Sequence, residues 1–280
     1  MNPLNYTLLI KRLPSWLYKF GAKLYIDYTF PRHIFIETTT RCNLNCWHCP
    51  RPKIEYDMEW GIFTKIIDEA KQYGSRSFSL HLFGEPLLDI SLLSRIKYIK
   101  SANKKNNIIL TTNGTIHNRE VYDLVDKIII TYRPTLDLTT REEWKHKIML
   151  RDFSNSHIPK GCQVEHKVYH NYGGNIGPLV ERSGSGLQNR SQGFDSLTGL
   201  RYPCYHLWLA PAIAYNGDIL LCCNSPYHVV DSLLGDIKDI SIADAWQSNI
   251  LKQKREEQLN GEYNGICKNC NVWTTYPSIW

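Results

Sequence analysis

The 280-residue sequence predicts an α/β fold in which a partial (β/α) barrel is followed by a small lobe built on a β-hairpin and a helix. Three observations predict it. From His33 onward, short apolar runs alternate with segments of helical spacing, which is the pattern of βαβ units around a parallel sheet. Only 112 residues separate Cys49 from Cys162, too few for eight units of about 30 residues each, so the barrel must be partial. Residues 181–197 (ERSGSGLQNRSQGFDSL) have the composition of a linker, and beyond them the chain turns to a hairpin and a cysteine-rich tail.

In chain order, Leu13, Trp16, Leu17, Phe20 and Leu24 lie at helical spacing opposite Lys11, Arg12, Lys19 and Lys23. Pro14 limits where that helix begins. Such an amphipathic extension either docks on the main domain or makes peripheral contact with a membrane. Strands are expected at His33–Thr38, Ser77–Phe83, Asn107–Thr112, Lys127–Tyr132 and, as a fifth, Val164–His170. Helices are expected at Phe63–Gln72, Ile90–Ser101 and Arg119–Val125. In the tail, Ile213–Leu221 reads as two strands joined by an Asn216-Gly217 turn, and Ser241–Gln258 as one helix with Ser241 as its N-cap. The expected organisation is an N-terminal extension over 1–31, the barrel over 32–180, a linker over 181–200 and the auxiliary lobe over 201–280.

Composition narrows the function classes. With 42% apolar and 21% charged residues the chain has the make-up of a folded globular protein, not a disordered one. A formal charge of +6 suits anionic partners, but Lys and Arg are scattered, which argues against a nucleic-acid surface. No run approaches the roughly 20 apolar residues of a membrane span, and no signal peptide is evident, so a cytoplasmic location is expected. Nine cysteines, an odd number, fit metal binding in a reducing compartment better than a disulfide framework.

Cys42, Cys46 and Cys49 follow the first strand directly, which puts three thiols on one loop at the carboxyl end of a parallel sheet. Zinc takes four ligands, and iron–sulfur clusters usually take four cysteines, so three leave one iron open. This CxxxCxxC loop, with His48 just before its last cysteine, resembles that of the radical S-adenosylmethionine superfamily. Leu82-Phe83-Gly84-Glu85-Pro86 resembles the family's glycine–glutamate segment, and Leu110-Thr111-Thr112-Asn113-Gly114 its "TNG" segment. The resemblance spans about residues 33–170 and implies a partial TIM-type barrel. It also implies a [4Fe–4S] cluster on the three cysteines, S-adenosylmethionine chelating the open iron, and reductive cleavage to a 5′-deoxyadenosyl radical. His48, Gly84, Glu85, Pro86 and Asn113 are the implied cofactor contacts. The fourth strand departs from the family pattern, with Ile130-Thr131-Tyr132-Arg133-Pro134 where relatives carry serine–hydrophobic–aspartate–glycine. Thr131 could touch the cofactor there, and Arg133 could pair with its carboxylate.

Cys204, Cys222 or Cys223, Cys267 and Cys270 supply four soft ligands, equally suited to zinc or to a fully ligated [4Fe–4S] cluster. The hairpin, the Leu234-Gly235-Asp236-Ile237 stretch, the Ala245-Trp246 helix and the terminal CxxC resemble the SPASM/twitch module of the same superfamily. With 17 residues between Cys204 and Cys222 and 44 between Cys222 and Cys267, the layout resembles the twitch form with one auxiliary cluster and favours Cys222 as ligand. Resemblance to twitch-type dehydrogenases implies oxidation of a hydroxylated small molecule, such as a sugar or aminocyclitol, with the auxiliary cluster as electron acceptor. Epimerisation of a sugar or peptide is the alternative, with Cys223 or Cys162 as hydrogen donor. Tyr169-His170-Asn171-Tyr172-Gly173-Gly174 resembles a recurrent segment of SPASM enzymes and offers His170 and Tyr172 to substrate. A flavodoxin or ferredoxin is the implied electron donor. A non-catalytic zinc protein that binds nucleic acid is the reading from a different class.

Overall fold

The computed structural model describes residues 29–46, 49–51, 53–131, 136, 139–152, 163–166, 203–226 and 229–270. A single nine-stranded sheet organises them, in the order β6-β5-β4-β3-β2-β1-β7-β8-β9. The strands are β1 His33–Ile36, β2 Ser77–Ser79, β3 Asn107–Thr112, β4 Lys127–Thr131, β5 Ile148–Asp152, β6 Gln163–His166, β7 Ala212–Ile213, β8 Asp218–Leu220 and β9 Leu233–Asp236. β1 to β6 run parallel, as alternation with helices requires, and β7 joins β1 in parallel. β7, β8 and β9 then form an antiparallel meander.

Alternation along each strand sorts the core into two faces. Ile34, Ile36, Phe78, Ile108, Leu110, Ile128, Ile130, Ile148 and Leu150 point outward into the main core. There they meet α1 (Trp60–Gln72), α2 (Leu92–Ala102) and α3 (Arg119–Leu124). α1 forms because Ile62, Phe63, Ile66, Ile67 and Ala70 recur every three or four residues and are all buried. The opposite face carries a smaller cluster of Phe35, Leu209, Ala210, Ala212, Ala214 and Leu220.

Two expectations need correction. Ile148–Asp152 is a strand between the fourth and the expected fifth, so Gln163–His166 is the sixth strand. A highly charged 3-10 segment, Thr139–Lys147, precedes Ile148–Asp152. It hides a five-residue strand whose outward residues, Ile148 and Leu150, are buried. The expected Ser241–Gln258 helix is two helices, α5 Ile242–Trp246 and α6 Asn249–Leu259. Ser241 caps the first and Ser248 the second, each side chain accepting a backbone N–H. α4 (His206–Leu209) follows Cys204.

Asn216-Gly217 makes the turn between β7 and β8, with Gly217 at φ 102°, a conformation that glycine adopts freely. Residues 1–28 of the N-terminal extension and the whole linker lie outside the described residues. Among those described, no helix is long and apolar enough to cross a membrane.

Candidate active site

The loop after β1 is closed at its base before it can present cysteines. Thr40 N donates to Tyr56 O at 2.8 Å and Met58 N to Thr38 O at 2.8 Å, with Thr39 bridging to Asp57. Arg41 is ion-paired with Asp57, and the Arg51 guanidinium donates to Thr40 O at 3.0 Å. Thr40 Oγ1 donates to Ile54 O at 2.7 Å. These bonds pin both ends of the segment that carries Cys42, Cys46 and Cys49.

The three thiols are half-buried and close enough to feel one another. Burial pushes the Cys49 thiol up, and the Cys46 and Cys42 sulfurs add to that shift. Cys49 N donates to Cys46 O at 3.1 Å, and Cys49 Sγ lies 3.9 Å from Phe83 O. Asn113 Nδ2 approaches Cys42 Sγ at 3.8 Å and donates to Asn43 Oδ1 at 2.9 Å. Asn43 in turn donates to Thr115 Oγ1 at 2.8 Å. The loop after β3 is therefore tied to the cysteine loop.

Gly84 is required where it stands. A Cβ there would lie 1.9 Å from Thr39 O, so only glycine lets the loop after β2 approach the cysteine loop. Glu85 N donates to Arg41 O at 2.7 Å across that contact. The Glu85 carboxylate, buried, accepts from Thr112 Oγ1 at 2.7 Å, Asn113 N at 2.7 Å and Leu87 N at 3.2 Å. Burial raises its pKa while these three donors pull the other way. Pro86 is buried at the start of the 3-10 turn that follows. Thr131 ends β4, half-buried and in register with Arg151. His48, Arg133, Cys162, His170 and Tyr172 lie outside the described residues.

Glu37 was not anticipated. Fully buried one residue beyond β1, it accepts from Phe83 N at 3.2 Å and Tyr215 N at 3.3 Å, joining the barrel loop to the hairpin of the tail. A carboxylate inside an apolar strand run was the available signal.

In the tail, Cys222 and Cys270 act electrostatically on Cys267, and burial with these neighbours pushes the Cys267 thiol up to about 12. Cys204 and Cys267 are buried and are bridged by Gln258. Cys222 Sγ lies 3.5 Å from Ser225 Oγ. Cys223 packs instead against the inner-face cluster that contains Phe35. Four thiols brought to one lobe, with Cys204 and Cys267 buried, are the soft donor set that a fully ligated iron–sulfur cluster takes. The three-cysteine loop fits a cluster with one open iron on the same chemical ground.

Comparison with known proteins matches residues 36–158 to the radical SAM superfamily and residues 204–271 to the SPASM iron–sulfur cluster-binding domain. This chain is a radical SAM protein with a SPASM domain. Its domains imply S-adenosylmethionine, a [4Fe–4S] cluster and auxiliary iron–sulfur ligation. BtrN, solved in complex with AdoMet and 2-DOIA, superposes on this radical SAM protein with a TM-score of 0.69 over 89% of this chain and 97% of that one, at 19% identity. Streptococcus suis SuiB bound to precursor peptide SuiA gives a TM-score of 0.60 over 87% and 70% of the two chains, at 15% identity. Among curated proteins, the tungsten-containing aldehyde ferredoxin oxidoreductase cofactor-modifying protein of Pyrococcus furiosus is 25% identical over 48% of this chain and 43% of its own. The curated relatives it matches are covered over less than half of their length.

Proposed function

We propose that this radical SAM enzyme dehydrogenates a carbinol carbon of a hydroxylated small molecule such as a sugar or aminocyclitol. Cys42, Cys46 and Cys49 hold the S-adenosylmethionine cluster, and Cys204, Cys222, Cys267 and Cys270 hold one auxiliary [4Fe–4S] cluster. When bound, the first group supplies hydrogen-atom abstraction and the second a one-electron acceptor. The observation that carries the reading is the gathering of these tail cysteines around Gln258 and Ser225 while Cys223 turns to the inner face. The near full-length likeness to BtrN, solved with 2-DOIA bound, supports the small-molecule reading. The chain's own groups do the positioning. Glu85 and Asn113 fix the loops around the S-adenosylmethionine site, and His48, Pro86, Thr131 and Arg133 are proposed as further cofactor contacts. His170 and Tyr172 are proposed to face substrate, and a flavodoxin or ferredoxin to deliver the electron.

Epimerisation is the second reading, and the packing of Cys223 against the cluster of Phe35, Leu209 and Ala212 favours it. That thiol would donate a hydrogen atom to the substrate radical; Cys162 is the other candidate.

The test is iron and sulfide per chain in anaerobic wild-type protein and in Cys267→Ala/Cys270→Ala. About eight irons should fall to about four, with S-adenosylmethionine cleavage retained in both. A product two mass units lighter than substrate supports dehydrogenation. A product of unchanged mass in H2O and one unit heavier in D2O, a gain abolished by Cys223→Ala, supports epimerisation. Zinc alone with intact S-adenosylmethionine would sink both.

A further inference from the structure

We propose that Gln258 sets the reduction potential of the auxiliary site by donating an N–H···S hydrogen bond to Cys267, a role that rests on the ligation proposed above. The orientation of its amide follows from its other contact. Cys204 N, which can only donate, meets Gln258 Oε1 at 2.8 Å, so the atom 3.3 Å from Cys267 Sγ is the amide nitrogen. One side chain thus bonds the backbone of the first auxiliary cysteine and the sulfur of the third.

The setting gives this bond weight. α6 is a polar helix from which only Leu251, Arg255 and Gln258 are buried, and Gln258 is 2% exposed. Arg255 lies over the Trp246 ring and donates to Leu207 O and Trp246 O, which holds that helix face against the cysteine lobe. Lys254, one turn before Gln258, brings a positive charge that acts on Cys267. Reduction of an iron–sulfur cluster places negative charge on its sulfurs. A donor on sulfur therefore favours the reduced form and raises the potential, more strongly where water is excluded. An acceptor for a substrate electron needs a raised potential, and Gln258 is placed to provide it.

Redox titration of the holoenzyme followed by EPR tests this. Two couples are expected, and added S-adenosylmethionine should move only that of the three-cysteine site, which identifies the other as auxiliary. In Gln258→Met the auxiliary couple should fall by about tenfold in its reduction constant, which is about 59 mV for one electron, with iron content and the first couple unchanged. Gln258→Glu keeps the acceptor for Cys204 N and loses the donor. It should shift the same way and further, because its charge adds to the loss of the donor, so the neutral Gln258→Leu decides the matter if the methionine variant does not hold iron. An unmoved auxiliary couple in an iron-loaded variant overturns the role of Gln258 alone. A holoenzyme with one couple, the one that S-adenosylmethionine moves, removes the ligation proposal and this role with it.

Discussion

Gly84 and Glu85 sit side by side and do opposite work, one by having no side chain and one by burying a charged one. In Gly84→Ala the new methyl would meet Thr39 O and Thr39 C, both backbone atoms that cannot swing away. The cysteine loop must therefore shift, and iron at the three-cysteine site together with S-adenosylmethionine cleavage should be lost while auxiliary iron stays. Glu85→Gln replaces one of two acceptor oxygens with a donor facing donors, so at least one buried N–H or hydroxyl loses its partner. Urea denaturation should show a loss of about 1–3 kcal/mol. His33 supplies a pH dependence. It is fully buried, and burial, with His81 and His206 nearby, holds its pKa well below the usual value. The unfolded chain binds a proton as pH falls through about 6.5, whereas the folded chain refuses it until far lower. Its contribution to stability is complete above about pH 7 and declines below, by up to about 1.4 kcal/mol per unit. Urea midpoints at pH 7.5 and 5.5 should differ by less in His33→Asn than in wild type. At this scale the cysteines, Gly84, Glu85 and Asn113 stand in the motifs that carried the family resemblance, and the structure brings their loops together. Glu37 left only the trace of a carboxylate beside an apolar strand and Gln258 none, since Glu37 links Phe83 to Tyr215 and Gln258 links Cys204 to Cys267, partners far apart in the chain.

Elements were legible where apolar period and turn chemistry agreed. β3 and the Asn216-Gly217 hairpin lie where the sequence puts them, because their side-chain alternation and glycine turn are local facts. β5 was missed because its pairing with β4 and β6 supplies what a five-residue segment lacks. The tail helix was read as continuous because Gln247-Ser248 contains no proline or glycine to announce a break. Its division follows from capping, since Ser248 Oγ accepts from Leu251 N at 3.3 Å and starts α6 afresh. Ser248→Ala should cost about 1 kcal/mol in urea unfolding. Because α6 carries Gln258, the same change should also speed the release of auxiliary iron to a chelator. Ser241→Ala, at the head of α5, should cost stability with a smaller effect on that release.

At the scale of the whole molecule, the tail is built into the barrel's sheet. β7 pairs with β1, and Ile213, Ile219, Leu221, Leu234 and Trp246 join the core that receives α1 and α2. The Glu69 carboxylate on α1 accepts from Ile242 N and Ala243 N, both at 2.9 Å, so a barrel helix also holds the first turn of α5. A boundary read from composition at 181–200 marks a change of sequence character, and the shared core crosses it. Composition could not show this, because hydrogen bonding between β1 and β7 depends on residues about 180 apart in the chain. Barrel and tail should therefore unfold together. In anaerobic urea titrations, far-UV circular dichroism and the loss of iron–sulfur absorbance should trace one transition. Glu69→Ala should lower the midpoint of both probes equally, since it weakens a joint that both parts share. Two separated transitions in wild type, or a Glu69→Ala shift confined to the iron–sulfur probe, would mean that the tail is an autonomous lobe whose cluster can be lost without disturbing the barrel. The continuity of the sheet through β1 and β7 makes the single transition the expected result.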